Sequence, residues 1–98
     1  MLVAVRLRKL VRLEMEWCQI SQKCLSLIAE NMHELAILNL NYCSSVFDDA
    51  IIKLGRHSPK LHTVKLQSCD KLSSKAFSYM FDSLKSLRYL DLSPFELI

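Results

Sequence analysis

A chain of 98 residues has the length of one domain, and its 51% hydrophobic and 23% charged residues are the composition of an ordinary globular protein. A single glycine and two prolines exclude a glycine-rich phosphate loop, a flexible linker and a low-complexity tail. The net charge of +3 comes without a dense basic stripe, and no apolar run approaches the ~20 residues of a membrane span, so neither nucleic acid nor a membrane is expected as a partner.

The first residues of the chain, MLVAVRLRKL, are basic and apolar. Their apolar stretch ends at Arg6, which is too short for a secretory signal, and no small-residue cleavage site follows. An Arg-rich, acid-free start is also similar to a mitochondrial presequence, but this one lacks serine and continues directly into a leucine pattern. We therefore expect the end of a preceding repeat here, with a mitochondrial targeting segment as the alternative.

A leucine pattern recurs along the chain with spacings of 25, 26 and 26 residues. The copies are LVRLEMEWC, LAILNLNYC, LHTVKLQSC and LRYLDLSPF, which begin at Leu10, Leu35, Leu61 and Leu87. Each copy fits L-x-x-L-x-L-x-x-C when Met15 and Val64 replace leucine and Phe95 replaces cysteine. A period of about 20–29 residues with this pattern is the signature of the leucine-rich repeat, so each copy predicts a short strand.

The segments between the copies predict helices. Ala50 and Leu54 are four residues apart, as are Ala76 and Met80, so each pair shares one face of a helix. The chain is therefore expected to alternate between strand and helix.

Helix ends are also predicted from the sequence. Asp48–Asp49 and Ser73–Ser74 stand where a helix N-terminus favours a cap or a negative charge. Gly55 predicts the end of the second helix, and Pro59 prevents its continuation. The first copy is one residue shorter, which aligns Cys24 with the two alanines and predicts that its side chain faces the core.

The string C-x-x-[apolar]-x-D-x-A, followed by SPKL and a new leucine strand, resembles the cysteine-containing leucine-rich repeats of F-box/LRR proteins. It is also similar to the antagonist-of-mitotic-exit group, which uses the same repeat, and the resemblance covers roughly residues 7 to 95. It implies an α/β leucine-rich-repeat solenoid of about three and a half repeats of 25–26 residues, with a parallel sheet on the concave side and helices on the convex side. We expect residues 1–98 to form a single repeat domain, a fragment or short form of a longer protein.

F-box/LRR proteins are substrate-recognition subunits of SCF (Skp1–cullin–F-box) ubiquitin ligases, in which an F-box binds Skp1 and the repeats bind the substrate. The resemblance implies a substrate adaptor in ubiquitin-dependent protein catabolism, with a protein substrate on the concave face. The residues before the first repeat are too few for an F-box, so a Skp1–cullin complex would be reached only through an F-box in a longer form. The alternative is an F-box-free repeat regulator, or a mitochondrial assembly factor, that binds a partner protein without ligase function.

Cys18, Cys43 and Cys69 recur with the repeat instead of forming the close C-x-x-C pairs of zinc sites. Equivalent positions of stacked repeats lie about 4.8 Å apart, so we expect a ladder of buried, reduced thiols that donate weak hydrogen bonds to the backbone. Unpaired thiols are typical of the cytoplasm or nucleus. The histidines form no cluster and no nucleophile motif such as G-x-S-x-G is present, so we expect no enzyme activity, no metal and no cofactor.

The candidate protein-binding residues are those that alternate outward from the core. Strand alternation sends the leucines of each copy inward and the residues between them onto the concave face, and the residue before each cysteine lies at the rim. The candidates are Glu14, Glu16, Trp17, Ile37, Asn39, Asn41, Tyr42, Lys65 and Tyr89. Trp17 and Tyr42 occupy equivalent positions of adjacent repeats, so we expect them side by side and flanked by Glu14 and Glu16. Such a surface suits a partner segment with an apolar anchor and a basic residue; the alternative is that these positions are merely solvated.

Overall fold

Strands and helices alternate along the chain. The computed structural model describes residues 9–92. Its elements are β1 (Arg12–Glu14), α1 (Gln22–Ala29), β2 (Ile37–Asn39), α2 (Asp48–His57), β3 (Thr63–Lys65), α3 (Ser74–Ser83) and β4 (Tyr89–Asp91). Within this part of the chain no helix is long and apolar enough to cross a membrane. The predicted succession of strand and helix is confirmed, with one strand in each leucine-rich copy.

The strands form one parallel sheet in the order β1-β2-β3-β4. Neighbouring strands pair at equivalent positions of the leucine copies, because Leu13 lies beside Leu38, Leu38 beside Val64, and Val64 beside Leu90. Successive side chains of a strand point to opposite faces, so this register places the leucine positions of all the copies on the same face. The parallel α/β architecture predicted from the sequence is confirmed.

The hydrophobic core combines that face of the sheet with one face of each helix. Leu38 and Val64 in the central strands are buried, and so are Leu25, Ile51 and Phe77 in the three helices. All five belong to one cluster of buried side chains. Burying an aliphatic or aromatic side chain of this size stabilises a fold by about 1.5–3 kcal/mol, so the strands and the helices both contribute to the stability of the core.

The outer strands are less covered than the central ones. Leu13 in β1 and Leu90 in β4 are only partly buried. Each of these strands has a neighbouring strand on one side only within residues 9–92, which leaves part of the side chain exposed.

The helix N-termini agree with the sequence prediction. Ser73 caps α3, and Ser21 caps α1, in both cases by accepting a hydrogen bond from a backbone N–H. Helix α2 has no side-chain cap but carries Asp48 and Asp49 in its first turn, where a negative charge interacts favourably with the helix dipole. The carboxylate of Asp48 also accepts a hydrogen bond from the backbone N–H of Ser73 at 2.8 Å, so it joins the starts of two adjacent helices.

The structure corrects the predicted end of α2. The helix continues through Gly55 to His57, and its C-cap is Ser58, the residue before Pro59. Gly55 is buried inside the helix, and a Cβ atom at this position would lie 3.0 Å from the Cε1 atom of Tyr79 in α3. Glycine therefore allows the close approach of two helices here and does not end one.

The prediction that Cys24 faces the core is also wrong, because its side chain is exposed. The aligned residues Ala50 and Ala76 are completely buried. Helices α2 and α3 each pack against the helix before them, whereas α1 has no preceding helix among the described residues. The buried residues of α1 are instead Leu25 and Ala29.

Candidate protein-binding surface

The side chains that point away from the core form two rows across the sheet. One row contains Arg12, Ile37, Thr63 and Tyr89, and the other contains Glu14, Asn39, Lys65 and Asp91. We call this the outer sheet face. The predicted binding residues Glu14, Asn39 and Lys65 therefore lie on consecutive strands, whereas Ile37 and Tyr89 are two strands apart.

Two of the predicted binding residues, Asn39 and Asn41, are not open to a partner. They are only 5% and 7% exposed, because their amides are used inside the repeat array. The Nδ2 atom of Asn39 donates to Glu16 Oε1 at 2.7 Å, and its Oδ1 atom accepts from the backbone N–H of Asn41 at 3.0 Å. The Oδ1 atom of Asn41 accepts from the backbone N–H of Gln67 at 2.8 Å. The expectation that these amides are exposed is corrected: they connect adjacent repeats.

The predicted contact between Trp17 and Tyr42 is confirmed. Their rings stack with centroids 4.2 Å apart and an angle of 11° between the ring planes. Trp17 is nevertheless 72% exposed, while Tyr42 is partly buried. An offset-stacked pair is itself favourable, but most of the indole surface is left in contact with solvent.

The backbone under this pair is in the left-handed region. The φ angle is 64° at Trp17 and 63° at Tyr42, and 54° at Ser68, the equivalent residue of the next repeat. A residue with a Cβ atom adopts this conformation at a cost of about 1 kcal/mol or more. Backbone hydrogen bonds hold it in place, from Trp17 N–H to Asn41 O at 3.0 Å and from Tyr42 N–H to Gln67 O at 2.7 Å.

A chain of side-chain contacts continues from the aromatic pair across the sheet. The hydroxyl of Tyr42 donates to Gln67 Oε1 at 2.8 Å, and Gln67 Nε2 donates to Asp91 Oδ2 at 2.7 Å. Together with the stacking of Trp17 on Tyr42, these contacts join one side chain from each of the strand-forming copies. The ring of Tyr42 is thus fixed before any partner arrives, which lowers the entropic cost of binding.

An open cleft of about 530 Å³ lies beside the aromatic pair. Its lining consists of the residues on either side of three successive repeat cysteines: Trp17, Gln19, Tyr42, Ser44, Ser68 and Asp70. Of these residues, only Trp17 and Tyr42 are among the binding residues predicted from the sequence. The remaining residues could have been predicted from the repeat spacing, because the residue directly after each cysteine recurs with the same period as the residue before it.

The predicted carboxylates are already engaged within the array. Glu14 is paired with Arg12 at 3.6 Å between exposed side chains, and Glu16 accepts the hydrogen bond from buried Asn39. Tyr89 is 51% exposed, but it lies on β4, about 14 Å from β1 at three strand spacings. Neither Glu14 nor Glu16 lines the cleft beside the aromatic pair, and Tyr89 lies on the far strand of the sheet.

The thiols of the repeat cysteines Cys43 and Cys69 bond to the backbone of the preceding copy. Cys43 Sγ donates to Met15 O at 2.9 Å, and Cys69 Sγ donates to Leu40 O at 3.1 Å. Burial raises the pKa of both thiols, that of Cys69 to about 11, which disfavours the thiolate form that nucleophilic and metal chemistry need. The buried ladder is confirmed for these two cysteines, whereas Cys18 is only partly buried; none of the three forms a disulfide. In the described part of the chain no three His, Cys, Asp or Glu side chains are grouped closely enough to hold a metal.

A second cleft, of about 610 Å³, lies between α1 and α2 on the helix side. Its lining includes Glu30 and Lys53, which form a salt bridge of 2.7 Å. The hydrogen bond and charge of Lys53 lower the pKa of the Glu30 carboxyl. Glu30 and Lys53 neutralise each other, and the lining of this cleft contains no aromatic side chain; it is therefore a weaker candidate for binding a partner than the cleft beside the aromatic pair.

No known protein-family model matches the chain. Functional proposals for it therefore rest on the repeat register, the aromatic pair and the cleft that the structure shows.

Proposed function

We propose that this chain is a leucine-rich-repeat solenoid that binds a partner protein through its outer sheet face and the adjoining cleft. The single observation that carries the proposal is the Trp17–Tyr42 stack, in which a mostly exposed tryptophan rests on a tyrosine fixed by neighbouring repeats. Tryptophan and tyrosine dominate the energetics of protein interfaces. A prearranged aromatic pair beside a cleft is the arrangement that such an interface uses.

The strained backbone supports this proposal over the alternative of solvated positions. Trp17 and Tyr42 stand at left-handed positions, where glycine or asparagine would fit with less strain. The Trp17 indole stays 72% exposed despite its stack on Tyr42, so most of its apolar surface adds nothing to the stability of the isolated fold. Strain of this kind is typically retained where it positions a residue for binding.

The biological role we propose is the substrate-recognition part of an SCF-type ubiquitin ligase that acts in ubiquitin-dependent protein degradation. The cysteine-type repeat is the support for this role, because its sequence resembles that of F-box/LRR proteins; the parallel register of the strands is compatible with an α/β repeat. In this role the partner on the outer sheet face is the substrate, and an F-box in a longer form recruits Skp1 and cullin.

The alternative is an F-box-free regulator or a mitochondrial assembly factor that binds through the same surface. The observation that favours a mitochondrial role is the Arg-rich, acid-free start of the chain, with Arg6 and Arg8; both residues lie outside the described range.

Partner capture with single substitutions tests the binding surface. Tagged chain 1–98 and its Trp17→Ala and Tyr42→Ala variants are expressed in cells, and the captured proteins are quantified. Each substitution should weaken capture of a specific partner by about 2 kcal/mol, or roughly 30-fold in affinity. Asp82→Ala is the matched control, because Asp82 is exposed on α3. Undiminished capture by both aromatic variants would contradict the proposed surface.

The ligase role has a separate test. The transcript upstream of the Met1 codon is sequenced for an F-box, and the longer form is captured from cells. The proposal predicts Skp1 and cullin in the complex and a rise in the captured partner when the proteasome is inhibited. A longer form that captures mitochondrial proteins, or that lacks Skp1, supports the alternative.

A further inference from the structure

We propose that the cleft beside the aromatic pair binds a basic side chain, arginine or lysine, of the partner, and that Asp70 is its counter-ion. This inference rests on the proposed function, because it specifies the chemistry of the segment that the same surface binds. It also places the charged contact at Asp70 instead of at Glu14 and Glu16, the carboxylates predicted from the sequence.

Charge is the first observation that carries the inference. The exposed carboxylate of Asp70 lines the cleft and makes no hydrogen bond or ion pair with any other residue in the range 9–92. Glu14 and Glu16, by contrast, are bonded to Arg12 and Asn39. The cleft lining contains no lysine, arginine or histidine. A positive charge in the cleft would therefore be attracted by the unpaired carboxylate of Asp70, and no cationic residue of the lining would repel it.

The exposed ring of Trp17, which lines the cleft, also supports the inference. Tyr42 covers one face of the Trp17 ring, and because the side chain is still 72% exposed, its other face is open. The face of an indole attracts a cation, and tryptophan does so most strongly among the aromatic side chains. The same ring also packs against the methylene stem of a long basic side chain.

The dimensions of the cleft agree with a long side chain. Trp17 belongs to the first copy and Asp70 follows the third, so their loops are separated by about two strand spacings, or roughly 10 Å. A side chain with an apolar stem and a charged end spans the aromatic pair and reaches toward Asp70. An acidic side chain would be repelled there, and a purely apolar one would desolvate Asp70 without pairing it.

Fluorescence provides a direct test, because Trp17 is the single tryptophan of the chain. The full 98-residue chain is titrated with N-acetyl-arginine amide and with N-acetyl-citrulline amide, which has the same shape without the charge. The arginine probe should change the Trp17 emission saturably and bind about threefold or more tightly than the citrulline probe. Added salt should reduce the preference.

Three variants make the test specific. Asp70→Asn should reduce the affinity for the arginine probe by about threefold and remove the effect of salt, whereas Asp70→Glu should retain both. Asp82→Asn, at an exposed acid on α3, should leave binding unchanged. Circular dichroism is used to verify that each variant keeps the wild-type fold. Equal binding of the two probes, or equal effects of Asp70→Asn and Asp82→Asn, overturns the inference.

Partner capture separates this inference from the proposed function. If Trp17→Ala reduces capture of the partner while Asp70→Asn does not, the inference fails and the proposed function stands. If Trp17→Ala and Tyr42→Ala both leave capture unchanged, both fail. A loss with Asp70→Asn that Asp70→Glu restores, together with the arginine preference, supports both.

Discussion

Replacing Cys43 by serine tests whether the repeat cysteines stabilise the array. Cys43 is completely buried, and its Sγ atom donates to Met15 O of the neighbouring repeat at 2.9 Å. A serine hydroxyl is more polar than a thiol and sits closer to the backbone, so it enters an apolar site with a poorer hydrogen bond. Burying such a hydroxyl costs about 1–3 kcal/mol, and we expect the free energy of unfolding to fall by this amount.

Urea unfolding followed by circular dichroism measures this change. For small proteins the free energy of unfolding falls by about 1–3 kcal/mol per molar urea, so the midpoint of the Cys43→Ser variant should fall by roughly 1 M. Cys24→Ser is the matched control: the same chemical change at an exposed site should alter stability by less than about 0.5 kcal/mol. Equal midpoints for the two variants would refute the reasoning that burial and the contact with Met15 determine the cost.

Two further predictions concern the thiols. Burial raises the pKa of Cys69 from 9.0 to about 11, so between these pH values the unfolded chain loses the proton while the folded chain retains it, and stability falls as the pH rises. Urea titrations at about pH 8 and pH 11 measure how much the free energy of unfolding decreases between these pH values. The decrease should be about 1–2 kcal/mol smaller in Cys69→Ser than in the wild type. Identical decreases would contradict the raised pKa of Cys69. Iodoacetamide should modify exposed Cys24 quickly and buried Cys43 and Cys69 slowly; mass spectrometry of digested samples measures the rates, and similar rates at Cys24 and Cys43 would count against the burial.

The strand register was predictable because it depends on a local pattern. Leucine positions repeat along the sequence, and a parallel pairing that slipped by one residue would turn buried Leu38 or Val64 toward solvent. The stack of Trp17 on Tyr42 was predictable for the same reason, since equivalent residues of adjacent repeats become neighbours. Periodicity therefore predicts which side chains meet across repeats.

Features that depend on the distance between elements were not predictable. Gly55 resembles a helix C-cap in sequence, but its role is set by the approach of Tyr79 from another helix. The amides of Asn39 and Asn41 point outward by alternation, yet Glu16 and the backbone of the next repeat cover them. Alternation gives the direction of a side chain and contains no information about what lies over it.

In the loops that line the cleft, the residue that stabilises the fold and the residues that face the cleft are direct neighbours in the sequence. In each loop the cysteine side chain turns inward, as Cys43 and Cys69 do, and bonds to the backbone of the preceding copy. The residues on either side of it turn into the cleft instead. Because the left-handed conformation before the cysteine is the same at Trp17, Tyr42 and Ser68, the backbone sets where that side chain points, whatever its identity. Substitutions there should accordingly change which partner segment fits while leaving the fold intact, whereas substitutions at the cysteines should act on stability first.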